Sequence, residues 1–281
     1  MRFTVVGDCL LDVSVAPSGP IRHGADAPAR IDLGPGGQAA NVAVRLARRG
    51  AAVRLVAPFA EDTAGQLLRE ALADDAVELV PLAAERSGTV VALLDGGERT
   101  MLSQRIPFSP SVAGTLAGAI AGVGWVHCSG YALLDPTGEA VVTTLAERSV
   151  GTVLSVGGCA VPPEGAARFR DLLSVARPDL LVLNRAEAAS LGPGFSVVVT
   201  DPDGSAAAIG SLEVREPAIP GLAVDVTGAG DAYAAALVGR LAEGAWPPDE
   251  PRLRDAMRAG AELARLVAGV LGAQARVAGE D

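Results

Sequence analysis

Short apolar strands alternate with amphipathic helices along almost the whole chain, and this alternation constrains the fold more than any other feature. Phe3 to Val6 is a β-prone run. Asn41 to Arg49 repeats apolar residues at helical spacing and stops at Gly50, and Val53 to Ala57 begins the next strand. The same periodicity predicts helices over Thr63 to Ala73, Ser111 to Ala121, Gly138 to Arg148 and Glu164 to Ser174, and strands over Trp125 to Cys128, Val153 to Val156 and Leu180 to Leu183. Strands joined through helices run parallel and are covered on both faces. The expected class is therefore α/β, with a mostly parallel central sheet between two helical layers.

The rhythm breaks in two places. Thr89 to Leu94 and Thr100 to Leu102 flank Asp95-Gly96-Gly97-Glu98, a hairpin signal. With the irregular stretch from Asp12 to Leu33, this predicts a discontinuous β lid from about 12–33 and 88–106, over strand ends where open α/β sheets bind ligands. An edge extension of the main sheet is the plainer alternative. The 281 residues are about twice the roughly 150 expected per domain, which fits one domain over 1–281 carrying that lid. Trp246 to Pro251 reads as a helix-breaking connection.

Composition removes several chemistries. All 23 basic residues are arginine, so Schiff-base catalysis, pyridoxal phosphate attachment and a lysine-bearing phosphate loop are excluded. His23, His127, Cys9, Cys128 and Cys159 form no zinc pattern, and so sparse a cysteine set suits a reducing, cytoplasmic setting. A net charge of -10 argues against a broad nucleic-acid or anionic membrane footprint. The uncharged run from Ile106 to Leu134 is diluted by Gly114, Gly118, Gly122, Gly124 and Gly130, and reads as helix, turn and buried strand, with no membrane span expected.

Two glycine-rich segments carry the chemistry. Asp225-Val226-Thr227-Gly228-Ala229-Gly230-Asp231 leads into a helix over Ala232 to Glu243. N–H groups at such a helix start bind anions without any lysine. Asp231 is either a cap that complements the helix dipole or a carboxylate that takes a hydroxyl proton beside the anion hole. The second segment, Gly34-Pro35-Gly36-Gly37-Gln38-Ala39-Ala40-Asn41, lets a ligand approach the backbone and ends on an amide able to donate and accept. It is not a dinucleotide fingerprint, which counts against a nicotinamide-dependent oxidoreductase.

These segments resemble the two signature regions of the ribokinase-like, or PfkB-type, carbohydrate kinases, and the resemblance runs over essentially the whole chain. Ser129-Gly130-Tyr131, Leu133-Leu134-Asp135 and Asn184-Arg185-Ala186-Glu187 also look like family landmarks. The resemblance implies a ribokinase-like three-layer sandwich with a small β lid and an ATP- and magnesium-dependent sugar kinase. In it Asp231 is the base, and the backbone of Gly228, Ala229 and Gly230 is the anion hole. Asp12, Gly36, Gly37 and Asn41 line the sugar pocket; Asn184, Glu187, Thr200 and Gly204 serve the nucleotide and magnesium. Asp225 supports a monovalent cation such as K+ in many members. The lid also implies a homodimer, since lids in this family often pair across a two-fold axis.

Three departures bear on function. The turn Thr200-Asp201-Pro202-Asp203-Gly204 is shorter than the family's nucleotide turn, and Pro202 offers no N–H. Gly157 stands where the family often has aspartate. Arg276 stands where a small hydroxyl residue helps hold the cation, and its guanidinium beside Asp225 would replace that ion; the other reading is a solvated surface arginine. Arg105, past the flap, could reach a substrate carboxylate or phosphate. The readings in play are a kinase for a small sugar, a nucleoside kinase of the same family, and a sugar- or nucleotide-binding protein with little turnover. Phe108, Tyr131 and Trp125 are the candidates for stacking on a base.

Overall fold

The computed structural model describes residues 1–22, 24–95 and 98–280. His23 and the Gly96-Gly97 of the expected hairpin turn lie outside the described residues. In chain order the first half runs β1 (Arg2–Val6), β2 (Leu10–Pro17), β3 (Ala29–Gly36), α1 (Gln38–Arg48), β4 (Ala52–Phe59), α2 (Thr63–Asp74), β5 (Val77–Ala83), β6 (Gly88–Asp95), β7 (Glu98–Gln104), α3 (Val112–Ile120), β8 (Trp125–Cys128), α4 (Gly130–Leu133) and α5 (Gly138–Ala146). The second half runs β9 (Val153–Gly157), α6 (Ala166–Ala176), β10 (Leu180–Asn184), α7 (Arg185–Leu191), β11 (Val197–Asp201), β12 (Gly204–Ile209), β13 (Leu212–Pro217), α8 (Ala229–Leu241) and α9 (Glu250–Ala268).

The main sheet has nine strands in the order β13-β12-β11-β10-β9-β8-β1-β4-β5. All neighbours from β11 to β5 pair in parallel, and β12 and β13 extend the edge antiparallel. Period-2 alternation sends the two faces into separate layers. Phe3, Val5, Leu180 and Val182 pack with α1 and α8, whereas Val6, Leu181 and Leu183 pack with α3, α5 and α6. That two-sided burial is why these strands read as continuous apolar runs.

From β1 the chain builds β4 and β5 on one side, then returns to build β8 to β11 on the other. The strand order therefore reverses between β1 and β8, and the crevice beyond their carboxyl ends is where sheets of this kind bind ligands. Gly7 ends β1 there with φ +152°; a Cβ on it would stand 2.5 Å from Cβ of Ser129 and 2.7 Å from Cβ of Ala39. Only glycine lets the two strand ends and α1 close on one another.

A second sheet, in the order β3-β2-β6-β7, is the expected small β unit. The stretch from Asp12 to Leu33, expected to be irregular, instead supplies β2 and most of β3, paired antiparallel with Asp12 opposite Gly34. Its alternation is real but only half-buried: Asp12, Ser14, Arg30 and Asp32 share one face, and Val13, Val15, Ile31 and Leu33 the other, where Ile31 and Leu33 stay exposed. A larger difference is α9, which sequence reading stops short of. The Asp249 side chain caps it by accepting from Arg252 N at 3.0 Å, and Pro251 sits in the first turn. Proline there needs no N–H partner, so the end of the proline-rich run starts a helix.

Candidate active site

Gly228 is the N-cap of α8 with φ +75°, turning the chain so that the first-turn N–H groups face the crevice. Ala229 N, expected in the anion hole, instead donates to Val226 O at 3.2 Å, while Gly230 and Asp231 line the cavity at this helix start. Asp231 stands in that same turn. Burial pushes its carboxyl up to about 7, the carboxylates of Asp8, Asp12 and Glu187 push the same way, and a hydrogen bond from Asn41 opposes them. A carboxyl poised near neutrality beside helix N–H groups is equipped to take a proton.

The second glycine-rich segment arrives from the other side. Gly37 caps α1 with φ +97°, and a Cβ on it would lie 2.7 Å from Asp8 O. A Cβ on Gly36 would fall on the carboxylate of Asp12, so glycine is what leaves that carboxylate its space. Asn41, 4% exposed, donates from Nδ2 to Asp231 Oδ2 at 2.7 Å. The two segments expected to act together do meet.

Asn184 and Glu187 start α7 through a reciprocal capping box: Glu187 N donates to Asn184 Oδ1 at 2.9 Å, and Asn184 N donates to Glu187 Oε2 at 2.8 Å. Burial raises the Glu187 carboxyl, and a Cβ on Gly158 would fall on that carboxylate. Glu187, Asn184, Thr200, Gly230 and Asp231 line one cavity of about 120 Å³. Asn184, Thr200, Gly204, Ala229 and Gly230 line a larger cleft of about 560 Å³, and the two meet at Gly230. Gly204, φ +143°, closes the β11–β12 turn opposite Asp201, whose carboxylate is paired with Arg185. One of the two aspartates of the shortened turn is thus neutralised.

Over the crevice, Arg105 leaves β7 to pair with Asp8 and to stack on Tyr131, 3.6 Å from the ring centroid. It ties the small sheet to the end of β1. The three aromatic candidates are otherwise engaged: Trp125 is 2% exposed and meets Trp246 edge-on at 5.7 Å, Phe108 is 5% exposed within the core, and one face of Tyr131 is covered by Arg105.

Arg276 stands apart from its expected place. Its Nη2 donates to Asp75 Oδ1 at 3.0 Å, drawn to a buried carboxylate that also holds Arg48. Asp225 instead receives Thr227 N and Oγ1 on Oδ1, at 2.9 and 2.5 Å, and Gly272 N on Oδ2 at 3.0 Å. Sequence reading gave three further residues no role in the site. Asp8 follows the glycine at the switch point, a position the topology alone reveals. Gln274 donates to Asn41 from the C-terminal segment at 2.9 Å. His127, fully buried, bonds Ser155 Oγ through Nδ1, while its Nε2 has no partner among the described residues and would lie 3.4 Å from a Cβ on Gly157. Burial lowers its pKa to about 4, so the ring is neutral.

A model of the pfkB family of carbohydrate kinases matches residues 2–278. A fructokinase from Klebsiella pneumoniae is 28% identical over 278 residues, covering 86% of this chain and 84% of that protein. A carbohydrate kinase from Agrobacterium tumefaciens superposes with a TM-score of 0.74 at 25% identity, over 97% of this chain and 92% of that one. A fructokinase from Xylella fastidiosa with bound ATP superposes with a TM-score of 0.81 at 19% identity, over 97% and 94% of the two chains.

Proposed function

We propose that this chain, which belongs to the pfkB family of carbohydrate kinases and is a phosphotransferase with an alcohol group as acceptor, moves the γ-phosphate of ATP to a hydroxyl of a small sugar, with Asp231 as the base. The observation that carries this reading is the 2.7 Å bond from Asn41 to Asp231, which joins the two glycine-rich segments at one carboxylate. Bond and helix start hold that carboxylate at the point where a sugar hydroxyl bound over Asp12 and Asn41 would lose its proton.

The larger cleft along Thr200, Gly204 and Gly230 suits the nucleotide, and the solved fructokinase with bound ATP supports ATP as the donor. Gly230 and its neighbours in the helix start steady charge on the phosphoryl group in transit. Among the described residues no three His, Cys, Asp or Glu groups converge as a metal cage. Magnesium keeps several waters and usually binds through few carboxylates plus phosphates, so the all-oxygen set near Asn184 and Glu187 fits it in that outer role. Bound there with ATP, it would offset phosphate charge beside an acidic cluster.

The small sheet acts as a lid over the sugar, latched to the body through Arg105, and keeps water from competing for the phosphoryl group. A sugar is favoured over a nucleoside because Trp125 and Phe108 are buried and Tyr131 already carries Arg105 on one face. Among the described residues no helix is long and apolar enough to cross a membrane.

The test is a coupled ADP-release assay with magnesium and ATP against pentoses, hexoses, sugar acids and nucleosides. Asp231→Asn is expected to lose on the order of a hundredfold or more in kcat, with sugar binding nearly kept. Unchanged turnover in that variant removes Asp231 from the base role. Binding of sugar or nucleotide without any turnover favours a binding protein, and release driven by nucleosides alone favours a nucleoside kinase.

A further inference from the structure

We propose that Gln274 is a positioning residue: its side-chain NH2 holds Asn41 in the one orientation that presents an amide N–H to Asp231. The inference rests on the reading of Asp231 as the base.

The two ends of an asparagine amide are nearly the same size, so partners decide which one faces which neighbour. Asn41 lies between two of them. Its Nδ2 donates to Asp231 Oδ2 at 2.7 Å, and its Oδ1 accepts from Gln274 Nε2 at 2.9 Å. Both Asn41 and Gln274 are less than a tenth exposed, so bulk water is a poor substitute for either bond.

A carboxyl can meet Asn41 in two ways. Ionised, it accepts from Nδ2; protonated, it can donate to Oδ1 once the amide has turned over. A donor on the far side of Asn41 favours the first arrangement, because turning the amide would set two NH2 groups against each other. Gln274 is that donor. Its own Oε1 is buried without a partner among the described residues, so the side chain spends its hydrogen bonding on Asn41.

The donor is held by backbone. Arg48 Nη1 donates to Gln274 O at 2.8 Å, and Arg45 Nη2 donates to Ala273 O and Ala275 O at 2.7 and 2.9 Å. A Cβ on Gly228 would lie 2.8 Å from Cβ of Ala273, so the same segment also lies on the cap of α8. Around Asp231, the carboxylates of Asp8 and Asp12 from the β1–β2 side and of Glu187 from α7 act against its ionisation. The Asn41 bond acts the other way, and Gln274 governs its direction. On the far side of Asn41, Arg45 and Arg48 are engaged with the carbonyls of Ala273, Gln274 and Ala275, with Glu280 and with Asp75.

The experiment uses the full chain with 13Cγ-labelled aspartate, the Asp231 resonance being assigned by its absence in Asp231→Asn. Gln274→Leu removes the donor, and Gln274→Glu puts a second acceptor in its place. In both, the Asp231 titration midpoint is expected to rise by about half a pH unit or more. In steady-state kinetics kcat at pH 7 then falls about twofold or more and recovers above about pH 8.5, with the sugar KM within about twofold of wild type. A merely structural role would lower kcat at every pH. An unmoved midpoint in either variant, with circular dichroism showing it folded, overturns the proposal. The midpoint needs no turnover: a wild-type chain inactive on every sugar would remove the base assignment, while the titration still decides whether Gln274 orients Asn41.

Discussion

Asn41 and Asp231 are separated by 190 positions in the chain and meet at 2.7 Å, amide to carboxylate, where the N-termini of α1 and α8 converge. Each lies at the start of a helix whose N-cap is a glycine with positive φ, Gly37 for α1 and Gly228 for α8. The two turns exist to aim helix starts into one crevice. Everything predicted about the site follows from what that convergence does to a carboxyl.

The first consequence is a pH dependence. Burial, aided by three carboxylates, raises Asp231 from its ordinary 3.8 to about 7. In the proposed role of base Asp231 acts ionised, so kcat is expected to rise as pH passes through about 7 and to level off above it, measured at saturating sugar and ATP. The stability effect has the opposite slope. A carboxyl whose pKa is raised on folding binds its proton more tightly in the folded state, so its favourable contribution is complete below about 4 and is lost as pH rises to about 7. Asp231→Asn is therefore predicted to raise Tm at pH 8, with the gain fading towards pH 4. A pH-independent difference between the two proteins would contradict the raised pKa.

Gly36 tests the sugar side. Any side chain there meets the carboxylate of Asp12, so Gly36→Ala is predicted to displace it. The expected outcome is a rise of about tenfold in sugar KM, on the scale of one lost charged hydrogen bond, with ATP KM nearly unchanged. Equal effects on both substrates would place Asp12 outside the sugar pocket.

These predictions divide along the line between what periodicity and turn chemistry reveal and what only packing reveals. The parallel strands and the two glycine-rich helix starts were legible because two-sided burial and positive φ each demand particular residues, as in β1 and at Gly228. Helix α9 was hidden by Pro251, read as a breaker although a first turn tolerates it. Asp8 and His127 carry no local signal, and Gln274, in the run Gly272-Ala273-Gln274 that looks like a C-terminal family landmark, gives no hint of its bond to Asn41. Their roles arise from the reversal of strand order and from a C-terminal segment crossing α1 and α8, contacts of long sequence separation that no spacing rule encodes.

Arg276 corrects an expectation and yields a prediction. It lies on Asp75 with its side chain 54% exposed, while Asp75 keeps a two-pronged bond from Arg48 at 2.8 Å on each oxygen. Arg276→Ala is predicted to cost less than about 1 kcal/mol in urea unfolding, as an exposed ion pair does. Any response of the kinase to K+ should be the same with and without this side chain. A potassium response that appears only in the variant would return Arg276 to the neighbourhood of Asp225.

The strongest stability prediction concerns the buried ion pair behind Asn41 and Asp231. Arg45 Nη1 and Glu280 Oε2 lie 2.5 Å apart with both side chains fully buried, and the same guanidinium holds Ala273 O and Ala275 O. Burial lowers the Arg45 pKa against the pull of Glu280, so the charge is kept by its partner. Removing one partner strands the other: Glu280→Gln is predicted to cost about 3–5 kcal/mol in urea unfolding, whereas Arg45→Met with Glu280→Leu should cost much less, because Arg48 keeps Asp75 and no buried charge is left unpaired. The single variant should also loosen the segment that carries Gln274, so its kcat at pH 7 should fall further than its sugar affinity. A double variant as unstable as the single one would show that the pair acts through its backbone carbonyl bonds and not through charge.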